Sequence, residues 1–205
     1  VIENTEERII PEFMDPLNKL LLEHIARYQF ALPYIKGRVL DLSCGSGYGT
    51  HMLAKERKFH VDEVIGVDID PDIITYARGK YYHPKSKFIV ADATDETLKA
   101  KLGLFDVIVS FETIEHIQAE DHLLRNYDEL LKPGGTLLLS TPFGEGRGIP
   151  SGQLFHVHQL TQEEFFNLFG AYSERTYFYQ KGVLIEPYPG REEVHYPLGL
   201  ALCKK

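Results

Sequence analysis

The sequence of 205 residues has no tryptophan and only two cysteines and two methionines. Cys44 and Cys203 lie far apart, with no CxxC spacing and no clustered Cys and His, which excludes a disulfide framework and a Cys-based structural zinc site. Two reduced thiols fit a cytoplasmic protein. No apolar run approaches the roughly 20 residues that span a bilayer, and the acidic stretch Val1 to Glu7 is not the positive n-region of a signal peptide. A start at Val1 rather than Met suggests a trimmed N-terminus. Basic residues are in deficit, 22 against 30 acidic ones for a net charge of −8, so no nucleic-acid partner is expected. Internal repeats and low-complexity segments are missing as well. What is present, 43% hydrophobic and 25% charged residues, is ordinary for one globular domain.

Apolar runs alternate with helical patterns along the chain. Asp15 as N-cap and Pro16 at the first position open a helix through Leu17, Leu20, Leu21, Ile25 and Tyr28, ended by Pro33. Strand Arg38 to Leu42 then runs into a Gly-rich turn and a helix through Met52, Leu53 and Ala54. Further strands are predicted at 61–67, 87–91, 105–110 and 136–141, with helices after Asp70-Pro71-Asp72, near Glu96 to Lys101, and through Leu123, Leu124, Tyr127, Leu130 and Leu131. A Gly- and Pro-rich loop follows from Pro142 to Gln159. Thr161 and Glu164 form a capping box, and two last strands cover 172–179 and 194–203. The pattern predicts an α/β fold: a doubly wound, Rossmann-like, seven-stranded and mostly parallel sheet with helices on both faces. One domain accounts for residues 1–205: an N-terminal helical cap (1–35), a cofactor-binding core (36–142), then an acceptor loop with C-terminal strands (143–205).

Ligands of such sheets bind beyond the carboxyl ends of the strands, so those positions carry the functional signal. After the first strand, Gly45 and Gly47 let a ligand approach the backbone where a helix begins. Asp41 in the same motif would repel a pyrophosphate and suits a cation; S-adenosyl-L-methionine, with an ammonium, a sulfonium and no phosphate, fits it. Asp68 follows Gly45 by 68 − 45 = 23 positions, close to the separation at which an acidic residue accepts from ribose hydroxyls. Ile69 is placed to pack on an adenine face or in the core. Asp70 reads as the N-cap of the next helix. Asp92, with Ala93 beside it, either reads an exocyclic amino group or caps the short helix that follows.

The runs Val39 to Gly49 (VLDLSCGSGYG), Gly66 to Asp70 (GVDID), Ala91 to Ala93, Phe105 to His116 (FDVIVSFETIEH) and Leu130 to Pro142 (LLKPGGTLLLSTP) together resemble class I S-adenosylmethionine-dependent methyltransferases. The resemblance covers residues 38–142. It implies that Asp41, Gly45 and Gly47 serve the methionine end, Asp68 the ribose, and Asp92 the adenine; Ser43 and Ser110, after the first strand and at the end of the fourth, are expected among the cofactor-binding residues. It also implies that the last strand is antiparallel. Ser43 departs from the glycine that the family commonly has there. Glu7-Arg8, His24, Arg27-Tyr28 and the Cys44 to Gly49 run are similar to methyltransferase domains associated with glycosyltransferases and surface-glycan assembly. A small-molecule or glycan-type acceptor, methylated on a hydroxyl, is the expectation.

A hydroxyl acceptor needs a proton acceptor, and the candidates are Glu112, Glu115 and His116 after the fourth strand, with His156 and His158 in the long loop. His116 leads, because an imidazole titrates near neutrality. Glu115-His116 also reads as a helix-start pair bonded to backbone. His156 and His158, at i and i+2, face one side of an extended chain; no third ligand accompanies them, so no metal is expected. They read instead as substrate-orienting groups. Arg27 and Tyr28 read as a cover for the cofactor or contacts for the substrate, and Arg147 as a solvated loop charge. A non-catalytic subunit that binds the same cofactor is the competing reading. A dinucleotide oxidoreductase is disfavoured by Asp41 and by a Gly45 to Gly49 spacing that is not GxGxxG.

Overall fold

The computed structural model describes residues 8–153 and 155–205, so Glu7 lies outside the described residues. The elements in chain order are α1 (Lys19–Ala31), β1 (Gly37–Leu42), α2 (Tyr48–Glu56), β2 (Val61–Asp68), α3 (Pro71–Lys80), β3 (Ser86–Val90), α4 (Leu98–Leu102), β4 (Phe105–Phe111), α5 (Glu120–Leu130), β5 (Leu131–Pro142), α6 (Gln162–Asn167), β6 (Glu174–Lys181), β7 (Leu184–Pro187) and β8 (Leu198–Lys204). Asp70 caps α3 as expected, accepting from the N–H groups of Asp72 and Ile73, and Thr161 and Glu164 close the capping box of α6. At α1 the expectation shifts by three residues. Asn18 is the N-cap, accepting from Leu21, while Asp15 caps only the preceding turn through the Leu17 N–H. Both residue types cap well, and Asn18 is the one whose helix buries Leu21 and leaves Leu17 in solvent.

Strand residues alternate between two cores, as a period of two demands. Val39, Val64, Val107, Val109 and Leu138 pack with α1, α2 and α3 on one face, joined by Ala31, Leu53 and Ile73. Leu40, Leu42, Ile65, Ile108, Leu137 and Leu139 pack with α4, α5 and α6 on the other, joined by Tyr127, Leu130 and Phe165. The sheet order is β3-β2-β1-β4-β5-β8-β6-β7, with β1 to β5 parallel and β8 antiparallel to β5. The strand order reverses between β1 and β4, which opens the crevice used by ligands.

Among the described residues the sheet has eight strands, not seven. The extra strand, β7, pairs antiparallel with β6 through Lys181↔Leu184, so only Gly182 and Val183 form the turn, with Gly182 at φ +60. A two-residue hairpin with glycine at its first position is the compact solution for such a turn. No helix among the described residues is long and apolar enough to cross a membrane.

Candidate active site

A cavity of about 720 Å³ lies beyond the carboxyl ends of β1, β2, β3 and β4. Its volume is that of a pocket for a drug-sized ligand. Asp68 and Ile69 from β2, Asp92 and Ala93 after β3, and Ser43 to Ser46 after β1 line one end. Glu112, Glu115, His116, Phe155, His156 and Gln159 line the other, and Arg8, His24 and Tyr28 close the side.

At the first end, Asp68 is held by backbone: Oδ2 accepts from the Gly45 N–H at 2.9 Å and Oδ1 from the Asp70 N–H at 3.0 Å. Burial pushes its carboxyl above the usual range, against those two bonds. Asp92 does not cap the next helix, whose N-cap is Thr97; its Oδ1 accepts from the Thr94 N–H and hydroxyl, and it faces the cavity exposed. Ile69 is 65% exposed on the cavity wall, so core packing is not its role. Gly45, at φ +53, has open space where a Cβ would stand, as close approach of a ligand to the backbone requires. Gly47 does not line the cavity; a Cβ there would meet the Phe88 ring at 2.6 Å, so its smallness serves packing. Ser43 takes φ +67, the conformation that explains the glycine common at this position in the family it resembles.

Asp41 also stands behind the wall rather than on it. Only 1% exposed, it accepts from Thr50 Oγ1 at 2.7 Å and from the Tyr28 hydroxyl at 3.2 Å. Burial raises its carboxyl to about 7, opposed by those hydrogen bonds and helped by the Asp68 charge. The residue ties β1 to α1 and α2. Tyr28 lines the cavity with its ring, and a Cβ on Gly49 would fall 2.0 Å from that ring, which is why a glycine stands at 49.

Three further expectations change place. Ser110 is buried between the Tyr127 hydroxyl at 2.8 Å and the Leu42 carbonyl, away from the cavity. Arg27 points inward: it is 1% exposed, donates to Gln180 Oε1 at 2.9 Å, and lies 4.0 Å from Glu112 Oε2. It joins α1 to β6, a contact between residues 153 positions apart that no local pattern announces. His156 and His158 diverge because the chain between them is not extended strand. His158 is buried with Nε2 3.2 Å from Glu120 Oε2 at the start of α5, while His156 stays on the cavity. Arg147 is ion-paired to Glu120 and Glu164 and straps the loop to α5 and α6.

At the other end, Glu112 has φ +52 and accepts from Ser140 Oγ at 3.1 Å. Glu115 is 1% exposed; Oε2 accepts from Thr141 Oγ1 at 3.0 Å and Oε1 has no hydrogen-bond partner. Burial and the neighbouring Glu112 charge push its carboxyl far above the usual range. His116 Nδ1 meets the Phe155 carbonyl at 2.9 Å, and the rings of His116 and His156 lie edge to face at 4.8 Å. A third group does stand near His156: one potential ligand atom from each of Glu115, His116 and His156 falls within 4.8 Å of the others. Spacing suggested the pair His156 and His158; the fold pairs His156 with His116, 40 residues earlier in the chain.

Residues 36–180 match the family described as Methyltransferase domain. The chain belongs to that family. Its fold is that of class I methyltransferases, and S-adenosylmethionine is the cofactor implied. A probable S-adenosylmethionine-dependent methyltransferase of Mycobacterium tuberculosis is 31% identical over 173 residues, covering 82% of this chain and 60% of that protein. The chain thus spans about 60% of the length of the curated relatives it matches first. Phosphoethanolamine N-methyltransferase 1 of Triticum aestivum is 37% identical over 116 residues, 56% of this methyltransferase domain and 22% of that enzyme. Among solved structures, the N-methyltransferase NodS of Bradyrhizobium japonicum with S-adenosyl-L-homocysteine aligns with a TM-score of 0.63 at 18% identity, over 93% of this chain and 89% of that one. A TehB-like methyltransferase of Corynebacterium glutamicum aligns at 0.61 and 21% identity, over 88% of each chain. These two likenesses concern the fold. The donor set fits the cofactor: carboxylates at two adjacent strand ends, an exposed Ile69 and an open backbone at Gly45 suit a ribose, an adenine and a cationic chain.

Proposed function

We propose that this methyltransferase domain transfers a methyl group to a hydroxyl of a small-molecule or glycan-type acceptor. The observation that carries the reading is that one cavity joins Asp68 and Asp92 at one end to a carboxylate and imidazole cluster at the other. Asp68 would accept from the ribose hydroxyls, Ile69 and Ala93 would flank the adenine, and Asp92 would accept from its amino group. Bound there, S-adenosylmethionine supplies a methyl carbon on a sulfonium whose carbon–sulfur electron pair returns to sulfur on transfer. Alignment of the acceptor along that bond provides much of the acceleration. The acceptor proton goes to the cluster, with His116 or Glu112 as its receiver; His158 and Arg27 have no part in it because neither lines the cavity. An amine acceptor is the second reading, favoured by the two carboxylates at this end.

The test begins with S-adenosylhomocysteine, which should raise the melting temperature by mass action where NAD does not. A panel of sugars, sugar nucleotides, phenols and phosphoethanolamine is then screened for S-adenosylhomocysteine release. Tight NAD binding without S-adenosylhomocysteine binding would sink the reading, and turnover on an amine but no hydroxyl would replace it with the second one.

A further inference from the structure

We propose that Glu115, His116 and His156 form a site for one divalent transition-metal ion at the acceptor end of the cavity. Their ligand atoms lie within 4.8 Å of one another, and all three residues line the cavity. Two imidazoles and a carboxylate with open positions toward a cavity are the donor set of metal sites that bind substrate. Imidazole donors favour Co²⁺, Ni²⁺ or Zn²⁺ over Mg²⁺ and Ca²⁺, which prefer all-oxygen shells.

Two independent observations point to a cation. First, Glu115 is a carboxyl group 1% exposed whose Oε1 has no hydrogen-bond partner, an arrangement that costs folding free energy unless something meets that oxygen. Arg27 does not hydrogen-bond it: Nη1 donates to Gln180 and Nη2 lies 4.0 Å from Glu112, while the charge of the guanidinium acts against the rise of the Glu115 carboxyl. Second, the ligands are oriented from behind, as metal ligands are. A carbonyl only accepts, so Nδ1 of His116 carries the proton toward Phe155, and in the neutral ring Nε2 keeps its lone pair. Thr141 fixes the other oxygen of Glu115. At His156, Nδ1 lies 3.0 Å from the Gln159 amide.

The remaining coordination positions face the space left for the acceptor, so the ion would take an oxygen donor from it: a hydroxyl flanked by a second hydroxyl or a carboxylate. This use of the ion rests on the methyl-transfer reading; the site itself does not. The ion lowers the pKa of the bound hydroxyl, His116 becomes a ligand rather than a base, and the proton passes to Glu112 or water.

Protein stripped with chelator is titrated calorimetrically with the chlorides of Mn²⁺, Co²⁺, Zn²⁺ and Mg²⁺, and the Co²⁺ complex is read by its visible absorption. The expected result is one transition-metal ion per chain and much weaker Mg²⁺ binding. Glu115→Gln and His116→Ala should each weaken binding by about 100-fold or more, above the ~10–100-fold cost of losing an outer partner. His60→Ala, on the exposed surface, should bind as wild type. Because Glu115 is buried, His156→Ala provides a third variant, and circular dichroism checks that each is folded. The proposal is overturned if the wild type takes up no ion at millimolar concentration, or if folded variants bind as tightly as it does. A parallel titration with S-adenosylhomocysteine separates the two readings. Cation binding without it refutes the methyl-transfer reading alone, and the reverse refutes the metal site alone.

Discussion

The two ends of the cavity are built differently. At the cofactor end, Asp68 and Asp92 are satisfied by N–H or hydroxyl groups within a few residues or across one strand, through bonds of 2.7–3.0 Å. At the acceptor end, Glu112 sits at φ +52, Glu115 leaves an oxygen unpaired, and a buried arginine holds a carboxylate at 4.0 Å. Strain and unmet polar groups collect where chemistry on a variable substrate is expected, and the relaxed end is the one proposed to bind an invariant group. Substitutions should therefore separate: acceptor-end variants change turnover, and cofactor-end variants change affinity.

The sharpest break is His116→Ala. Whether the imidazole receives a proton or holds an ion, turnover on an identified acceptor should fall by about 10²–10⁴-fold, with S-adenosylhomocysteine affinity within about twofold. Steady-state kinetics and calorimetry on the same preparation decide it. A loss of affinity equal to the loss of turnover would mean that the two ends are not separable.

Asp68→Ala is the converse. Loss of charged hydrogen bonds of about 1.5–3 kcal/mol should weaken S-adenosylhomocysteine roughly 10–150-fold in a protein that still folds. An unchanged dissociation constant would assign the ribose to another group.

The same contrast explains what could be seen in the linear sequence. The cofactor end is made of strand-end residues at fixed separations, so Asp68, Asp92 and Gly45 were readable from the period of the strands and the glycine turn. The acceptor end depends on a loop folding back: Val157 N–H donates to the Glu115 carbonyl and Phe155 meets His116, pairings 39 to 42 residues apart that no periodicity encodes. Hence the pair His156 and His158 looked natural, and the trio with Glu115 and His116 did not. Asp41 and Arg27 escape a linear reading for one reason. A charged residue in a motif reads as ligand-facing, yet Asp41 answers Thr50 and Tyr28, and Arg27 answers Gln180, all buried. The β7 strand escaped because four residues after a two-residue turn carry too short a pattern.

Asp41 sharpens the comparison through pH. Its carboxyl, at about 7 in the fold against an ordinary 3.8, holds about one extra proton in the native state between those limits. A group raised in this way favours folding fully below its unfolded value, and the contribution is lost as pH rises toward 7. Urea denaturation between pH 4.5 and 8 should show a component falling by up to ~1.4 kcal/mol per pH unit in wild type and missing in Asp41→Asn. Asp68 helps to raise Asp41, so Asp68→Ala should move that fall to lower pH. Equal slopes in wild type and Asp41→Asn would show that Asp41 is ionised throughout.

The smallest effect is expected at Ser43, where the relaxed end carries its one positive φ on a side chain other than glycine. An L residue in the left-handed region costs about 1–2 kcal/mol, and a glycine there gives back about 0.4–1 kcal/mol through the freedom of the unfolded chain. Ser43→Gly should thus be neutral to about 1 kcal/mol more stable, a rise of up to roughly 2–4 °C in Tm for a chain of this size. If the serine hydroxyl contributes nothing to the cofactor, S-adenosylhomocysteine affinity stays within about twofold. A more stable variant that binds the cofactor tenfold more weakly would show that strain is kept for function at both ends, and the contrast between them would be one of degree.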